Sequence, residues 1–107
     1  MSRQARQRSA TEVYHVIQRG IDRMAIFYDD DDRQMFLNLL SQQVSESFKV
    51  YCYCLMDNHF HLIVKSNKLS FHIHHIASVY AGWFNHKHER RGYPFQDRFK
   101  SEAIEEE

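Results

Sequence analysis

His59 and His61 stand two residues apart in the run Met56-Asp57-Asn58-His59-Phe60-His61-Leu62-Ile63-Val64. In a strand that spacing puts both imidazoles on one face with Ile63, while Phe60, Leu62 and Val64 share the other. Two neutral imidazoles side by side suit a divalent cation that takes nitrogen ligands in fixed geometry. Histidine alternating with apolar residues also builds half-buried strands that bind nothing. A cation with catalytic work to do takes three protein ligands or more. The pair alone leaves both readings open.

Phosphate is the second chemistry to weigh. The net charge is zero, yet the cations are clustered. Arg3, Arg6, Arg8, Arg19 and Arg23 face only Glu12 and Asp22 in the first part of the chain. Lys87, Arg90, Arg91, Arg98 and Lys100 gather near its end, and the acids lie in blocks at Asp29–Asp32 and Glu102–Glu107. A local basic surface decides phosphate binding more than the total charge does. The plainer alternative is a mobile basic arm and ordinary solvated faces.

Nucleophiles and further metal ligands are harder to find. Tyr80 lies on an apolar helical stripe, where packing is the simpler role. Tyr93 lies in a Gly-Tyr-Pro turn among basic residues, suited to stacking on a base. His72, His74, His75, His86 and His88 lack the paired spacing of a zinc site. His86 and His88 read instead as a basic, pH-sensitive surface with Arg90 and Arg91. Cys52 and Cys54 sit too close on one strand for a structural disulfide and read as reduced thiols of a cytoplasmic protein. No apolar run reaches the length of a membrane span, and the N-terminus lacks a signal-peptide core.

The elements that must position these groups follow from periodicity. At 107 residues and 43% hydrophobic content the chain can build one small core. Residues 1–10 read as a flexible basic arm and residues 11–107 as one domain. Thr11 to Arg19 alternates as a strand, closed by Gly20. Asp29–Asp32 opens a helix, as capping carboxylates do. A carboxylate metal site is the weaker alternative, since four adjacent residues on a turn cannot all converge on one ion. The helix runs to about Ser47 with Phe36, Leu37, Leu40 and Val44 on its apolar stripe. Phe48 to Met56 is a strand, Asp57-Asn58 a tight turn, and His59 to Lys65 the next strand. Ser70 is a candidate cap for a second helix carrying Ile73, Ile76, Tyr80, Trp83 and Phe84, which Gly92 and Pro94 terminate. Arg98 to Ile104 is a last short strand. The order β-α-β-β-α-β predicts an α+β, ferredoxin-like fold, an antiparallel sheet with both helices on one face. His59 and His61 would then lie on the face the helices leave open.

Several segments together resemble the IS200-like single-tyrosine transposases, HUH endonucleases, in particular those associated with repetitive extragenic palindromes. They are Tyr14-His15-Val16-Ile17-Gln18-Arg19-Gly20, Ile26-Phe27, Met56 to Val64, Trp83-Phe84-Asn85 and Phe95-Gln96-Asp97-Arg98-Phe99-Lys100. Asp57 stands where that family commonly has proline. The resemblance implies metal ligation by His59 and His61, with Mg²⁺ or Mn²⁺ as the ion. It also implies tyrosine attack on single-stranded, hairpin-bearing DNA, with Arg19, Arg23, Lys87, Arg90, Arg91, Arg98 and Lys100 as candidate DNA contacts. The family's nucleophilic tyrosine and third ligand lie on a helix beyond the last strand. The chain stops at Glu107 before any such helix, so as it stands it is expected to nick poorly. Tyr80 and Tyr93 are the in-chain candidates, and a sheet edge offers a route to a homodimer. The alternative function is a single-stranded nucleic-acid-binding module without catalysis.

Overall fold

The computed structural model describes residues 10–104. The elements are β1 (Val13–Arg19), a 3₁₀ turn (Ile21–Arg23), α1 (Asp30–Gln43), β2 (Phe48–Met56), β3 (His59–Ser66), α2 (Leu69–Lys87) and β4 (Lys100–Ile104). The sheet order is β2-β3-β1-β4, and every neighbouring pair is antiparallel. This is the expected α+β arrangement. The arm with Arg3, Arg6 and Arg8, save Ala10, lies outside the described residues, as does the end of the acidic block.

Strand alternation sorts the sheet into two faces. Tyr14, Val16, Phe60, Leu62 and Val64 are buried with Phe36, Leu39 and Leu40 of α1 and Ile73, Ile76, Tyr80 and Phe84 of α2. Phe36 is the hub of this layer. Its ring lies 4.6 Å from Phe60 and 5.5 Å from both Phe27 and Tyr80. Edge-on packing of such rings adds to the gain from their burial. Trp83 lies at the margin of the stripe, only partly buried.

The helix ends differ from expectation in instructive ways. Asp29 does cap α1, its carboxylate accepting the Asp32 amide at 2.9 Å. The helix then stops at Gln43, short of Ser47. Val44, expected on the apolar stripe, is instead the C-cap in an extended conformation and stands exposed. Reversing there lets Ser45 and Phe48 pair across a tight turn and delivers Phe48 to the core. Ser70 is not a cap: α2 begins one residue earlier, and Lys68 makes no side-chain cap. Burial of Leu69 anchors that end.

The β2–β3 turn is tied to the segment between β1 and α1, and this sets where β3 begins. The Asp57 carbonyl accepts the amides of Ile26 at 2.8 Å and Phe27 at 3.1 Å, and the Asn58 carbonyl accepts the Gly20 amide at 2.8 Å. Arg33 of α1 also reaches Asp57 at 2.6 Å. Gly20 lets the segment after β1 fold back on it, since a Cβ there would lie 2.1 Å from the Met24 carbonyl oxygen. Gly20→Ala should therefore destabilise the fold by about 1–3 kcal/mol, the usual cost of overpacking. Urea denaturation measures it, and a loss below about 0.5 kcal/mol would show that the turn yields freely.

Candidate metal centre and nucleic-acid face

The sheet face without helices carries the paired histidines. In register, Met56, His59 and Arg19 form one row across β2, β3 and β1. Cys54, His61, Ile17 and Lys100 form the next, and Cys52, Ile63, His15 and Glu102 the third. His59 and His61 are half-buried with their rings 4.9 Å apart, close to perpendicular. Of the expected DNA contacts, Arg19 and Lys100 fall on this face beside them. Both are exposed.

Each of the two imidazoles has one nitrogen engaged. His59 Nδ1 lies 2.7 Å from Asn58 Oδ1, and His61 Nδ1 lies 3.0 Å from His15 Nε2. Neither Nε2 has a hydrogen-bond partner among the described residues. Burial pulls the His61 imidazole below its ordinary 6.5, and the neighbouring His59, His15 and Arg19 push it the same way. A neutral ring with a free lone pair is what a divalent cation requires, so the pair fits that role. His15 is the group sequence reasoning missed. Its alternation phase with Arg19 is visible in the sequence, but its nearness to His61 appears only once β1 is set beside β3.

The other candidates lie elsewhere. Arg23 is exposed in the 3₁₀ turn, and Arg91 and Arg98 are exposed on the segment after α2. The Arg90 guanidinium donates to Asn85 Oδ1 at 2.7 Å and to the Gly92 carbonyl at 3.2 Å, closing the end of α2. Lys87 is exposed but engaged: its ammonium reaches Asp29 at 2.9 Å and Asp32 at 2.8 Å. His88 does not join a basic surface with His86, because it turns in to Asp32 at 2.8 Å. Asp29, Asp32 and His88 offer ligand atoms within 4.8 Å of one another. The Lys87 ammonium already supplies the positive charge there, so the cluster reads as a clamp between α1 and α2. His72 is structural, bonded to Gln43 at 2.7 Å and Ser47 at 2.9 Å. Cys52 and Cys54 are free thiols.

The tyrosines stand away from the histidine face. Tyr80 is wholly buried, and its hydroxyl donates to the Ile26 carbonyl at 2.5 Å. Burial drives its pKa far up, with Asp32 adding to the rise, the opposite of activation. Burial also pushes up the Tyr93 phenol, and the Gln18 amide offsets part of that rise. Tyr14 lies in the core, Tyr28 packs on Phe84 and His88, and Tyr51 and Tyr53 line a groove with Leu37 and Leu40 of α1. No tyrosine of the described residues takes a register position on the open face.

Residues 9–107 match the family described as transposase, IS200 like. The chain belongs to that family. The chain also shares its fold with two solved structures. One is a REP-associated tyrosine transposase bound to a REP hairpin, at 16% identity and a TM-score of 0.68. The alignment covers 97% of this chain and 62% of that one, so the chain spans under two thirds of that relative's length. The other is a Deinococcus radiodurans R1 protein assigned as a transposase, at 11% identity and a TM-score of 0.68, covering 96% of this chain and 86% of that one. No curated protein matches. Among the described residues, no helix is long and apolar enough to cross a membrane.

Proposed function

We propose that this chain holds single-stranded, hairpin-bearing DNA and a divalent cation for strand cleavage and rejoining by transesterification. The observation that carries the reading is the open sheet face, where His59 and His61 keep free nitrogens beside Arg19 and Lys100. Mg²⁺ or Mn²⁺ bound there would polarise a scissile phosphate and orient it for in-line attack. The chain's own residues do the rest of the positioning. Arg19 and Lys100 neutralise flanking phosphates, Arg23, Arg91 and Arg98 extend the basic path, and Tyr93 offers a ring for base stacking. Edge strand β2 leaves a pairing edge for a second copy of the chain.

The attacking tyrosine is not among the described tyrosines, which the environments of Tyr80 and Tyr93 support. A second reading, a binding module without catalysis, is favoured for the chain by itself by the lack of a tyrosine on the histidine face. Incubation with Mn²⁺ and a labelled single-stranded hairpin, followed by a denaturing gel, tests this. The expected result is binding without a covalent adduct. An adduct that Tyr80→Phe or Tyr93→Phe removes would refute the placement of the nucleophile. Affinity should fall with salt, with a slope of about −0.7 per neutralised phosphate for a single strand. Charge reversal at Arg19 and Lys100 should flatten that slope. Binding indifferent to salt would refute the DNA-binding face itself.

A further inference from the structure

The hydrogen bonds at the two histidines contain a choice of tautomer, and the choice decides whether either ring can act as a ligand. A neutral imidazole carries one N–H and one lone pair. If Nδ1 holds the proton, Nε2 is free to bind a cation. If Nδ1 accepts, Nε2 holds the proton and cannot.

At His59 the surroundings fix the answer. The Asn58 Nδ2 group donates to the Arg23 carbonyl at 3.4 Å. That orients the amide so that its oxygen is the atom facing His59 Nδ1, at 2.7 Å. A carbonyl oxygen only accepts, so His59 Nδ1 must donate. The Arg23 carbonyl is held in turn by the strained 3₁₀ turn, where Asp22 and Arg23 both have positive φ. The same turn packs on Gly20, whose amide bonds the Asn58 carbonyl at 2.8 Å. One short segment therefore fixes both the backbone and the side chain of Asn58.

At His61 the partner is another imidazole, His15 Nε2 at 3.0 Å. The stacked rings lie 5.2 Å apart with planes inclined by 18°. Either ring could donate. Only donation from His61 leaves its Nε2 lone pair on the open face, matching His59. We propose that Asn58 and His15 are positioning residues that hold His59 and His61 in the Nδ1–H tautomer, presenting two Nε2 lone pairs on one face. The inference rests on the metal reading of the histidine pair, but the tautomers can be read without any metal. Partners of this kind orient a ligating imidazole and raise its basicity, and losing one typically weakens metal binding about 10–100-fold.

The test is a long-range ¹H–¹⁵N correlation spectrum of the histidine rings in metal-free protein, paired with Mn²⁺ titration. The expected spectrum shows His59 and His61 both protonated at Nδ1. His15→Phe keeps a flat ring in the strand but cannot accept. It should release His61 to a mixture of tautomers and lower Mn²⁺ affinity about 10–100-fold. His15→Gln, with a carbonyl oxygen able to accept, should restore part of both. Asn58→Ala should do to His59 what His15→Phe does to His61, and circular dichroism of each variant checks the fold. An Nε2–H or mixed His61 in the wild type overturns the proposal. So does a His15→Phe protein with unchanged Mn²⁺ affinity, or a His15→Gln protein no better than His15→Phe. Locked tautomers in a wild type that takes up no Mn²⁺ would refute the metal reading while upholding the tautomer assignment.

Discussion

The His59→Ala, His61→Ala protein should lose Mn²⁺ binding while keeping its fold. Both rings stand on the open face, and neither belongs to the core layer around Phe36. Their removal takes away the two free nitrogens that qualify this face as a cation site. The loss should exceed the roughly 10–100-fold that removing a supporting partner causes, and calorimetric titration reads it directly. Thermal stability should change little, since substitutions away from buried networks usually stay within about 0.5 kcal/mol. The proton competes for the same lone pairs, so binding weakens as the solution is acidified. Burial holds the His61 pKa below 6.5, so this ligand stays neutral to lower pH than an ordinary histidine, and its contribution is lost only as pH falls through that depressed pKa. Equal Mn²⁺ affinity in wild type and double variant would remove the site from this face.

The fold and the shared face of His59 and His61 are legible in the sequence because both rest on local periodicity. The alternation of Phe60, Leu62 and Val64 against His59 and His61 names a core face and an open face without reference to any other strand. The same logic places Phe36, Leu40, Ile73, Ile76, Tyr80 and Phe84. What local pattern cannot express is the neighbour across the sheet. His15 has the right phase, but only the β1–β3 register sets it against His61. The acidic block shows the same limit. Asp29 is a cap, as carboxylates before a helix tend to be. Asp32 is a buried ion whose partners, Lys87 and His88, lie far along the chain. Beside Arg90 and Arg91 in the sequence, nothing local pairs Lys87 and His88 with Asp32. Val44 missed its stripe for a tertiary reason, since the chain had to turn early to bury Phe48.

Asp32→Ala should cost the fold about 3–5 kcal/mol, the typical price of breaking a buried ion pair from one side. The carboxylate is fully buried and accepts three donors: the Tyr28 amide at 2.8 Å, Lys87 Nζ at 2.8 Å and His88 Nε2 at 2.8 Å. Removing it strands the Tyr28 amide and the His88 imidazole at the junction of α1 and α2, and leaves the Lys87 ammonium with Asp29 as its remaining carboxylate. Domains of this size are commonly stable by about 5–15 kcal/mol, so the loss is a large share of the total. Asp32→Asn keeps the shape and can still accept the Tyr28 amide, so it should cost less than alanine. The clamp also sets a direction with pH. Asp29 is held below its ordinary 3.8, chiefly by the hydrogen bond from Lys87 and then by the Asp32 amide. A depressed carboxylate contributes stability above its unfolded pKa and loses it as pH falls through the folded value. Lys87 is raised above 10.5, chiefly by its bond to Asp32 and then by Asp29. Its contribution is complete below that pH and fades as pH rises through the folded value. Urea denaturation of wild type, Asp32→Asn and Asp32→Ala at neutral pH decides the matter. A difference below about 1 kcal/mol between wild type and Asp32→Ala would mean that water and side-chain movement replace the clamp. Apolar packing such as Phe36 on Tyr80 and Tyr80 on Phe84 would then carry the junction of the two helices.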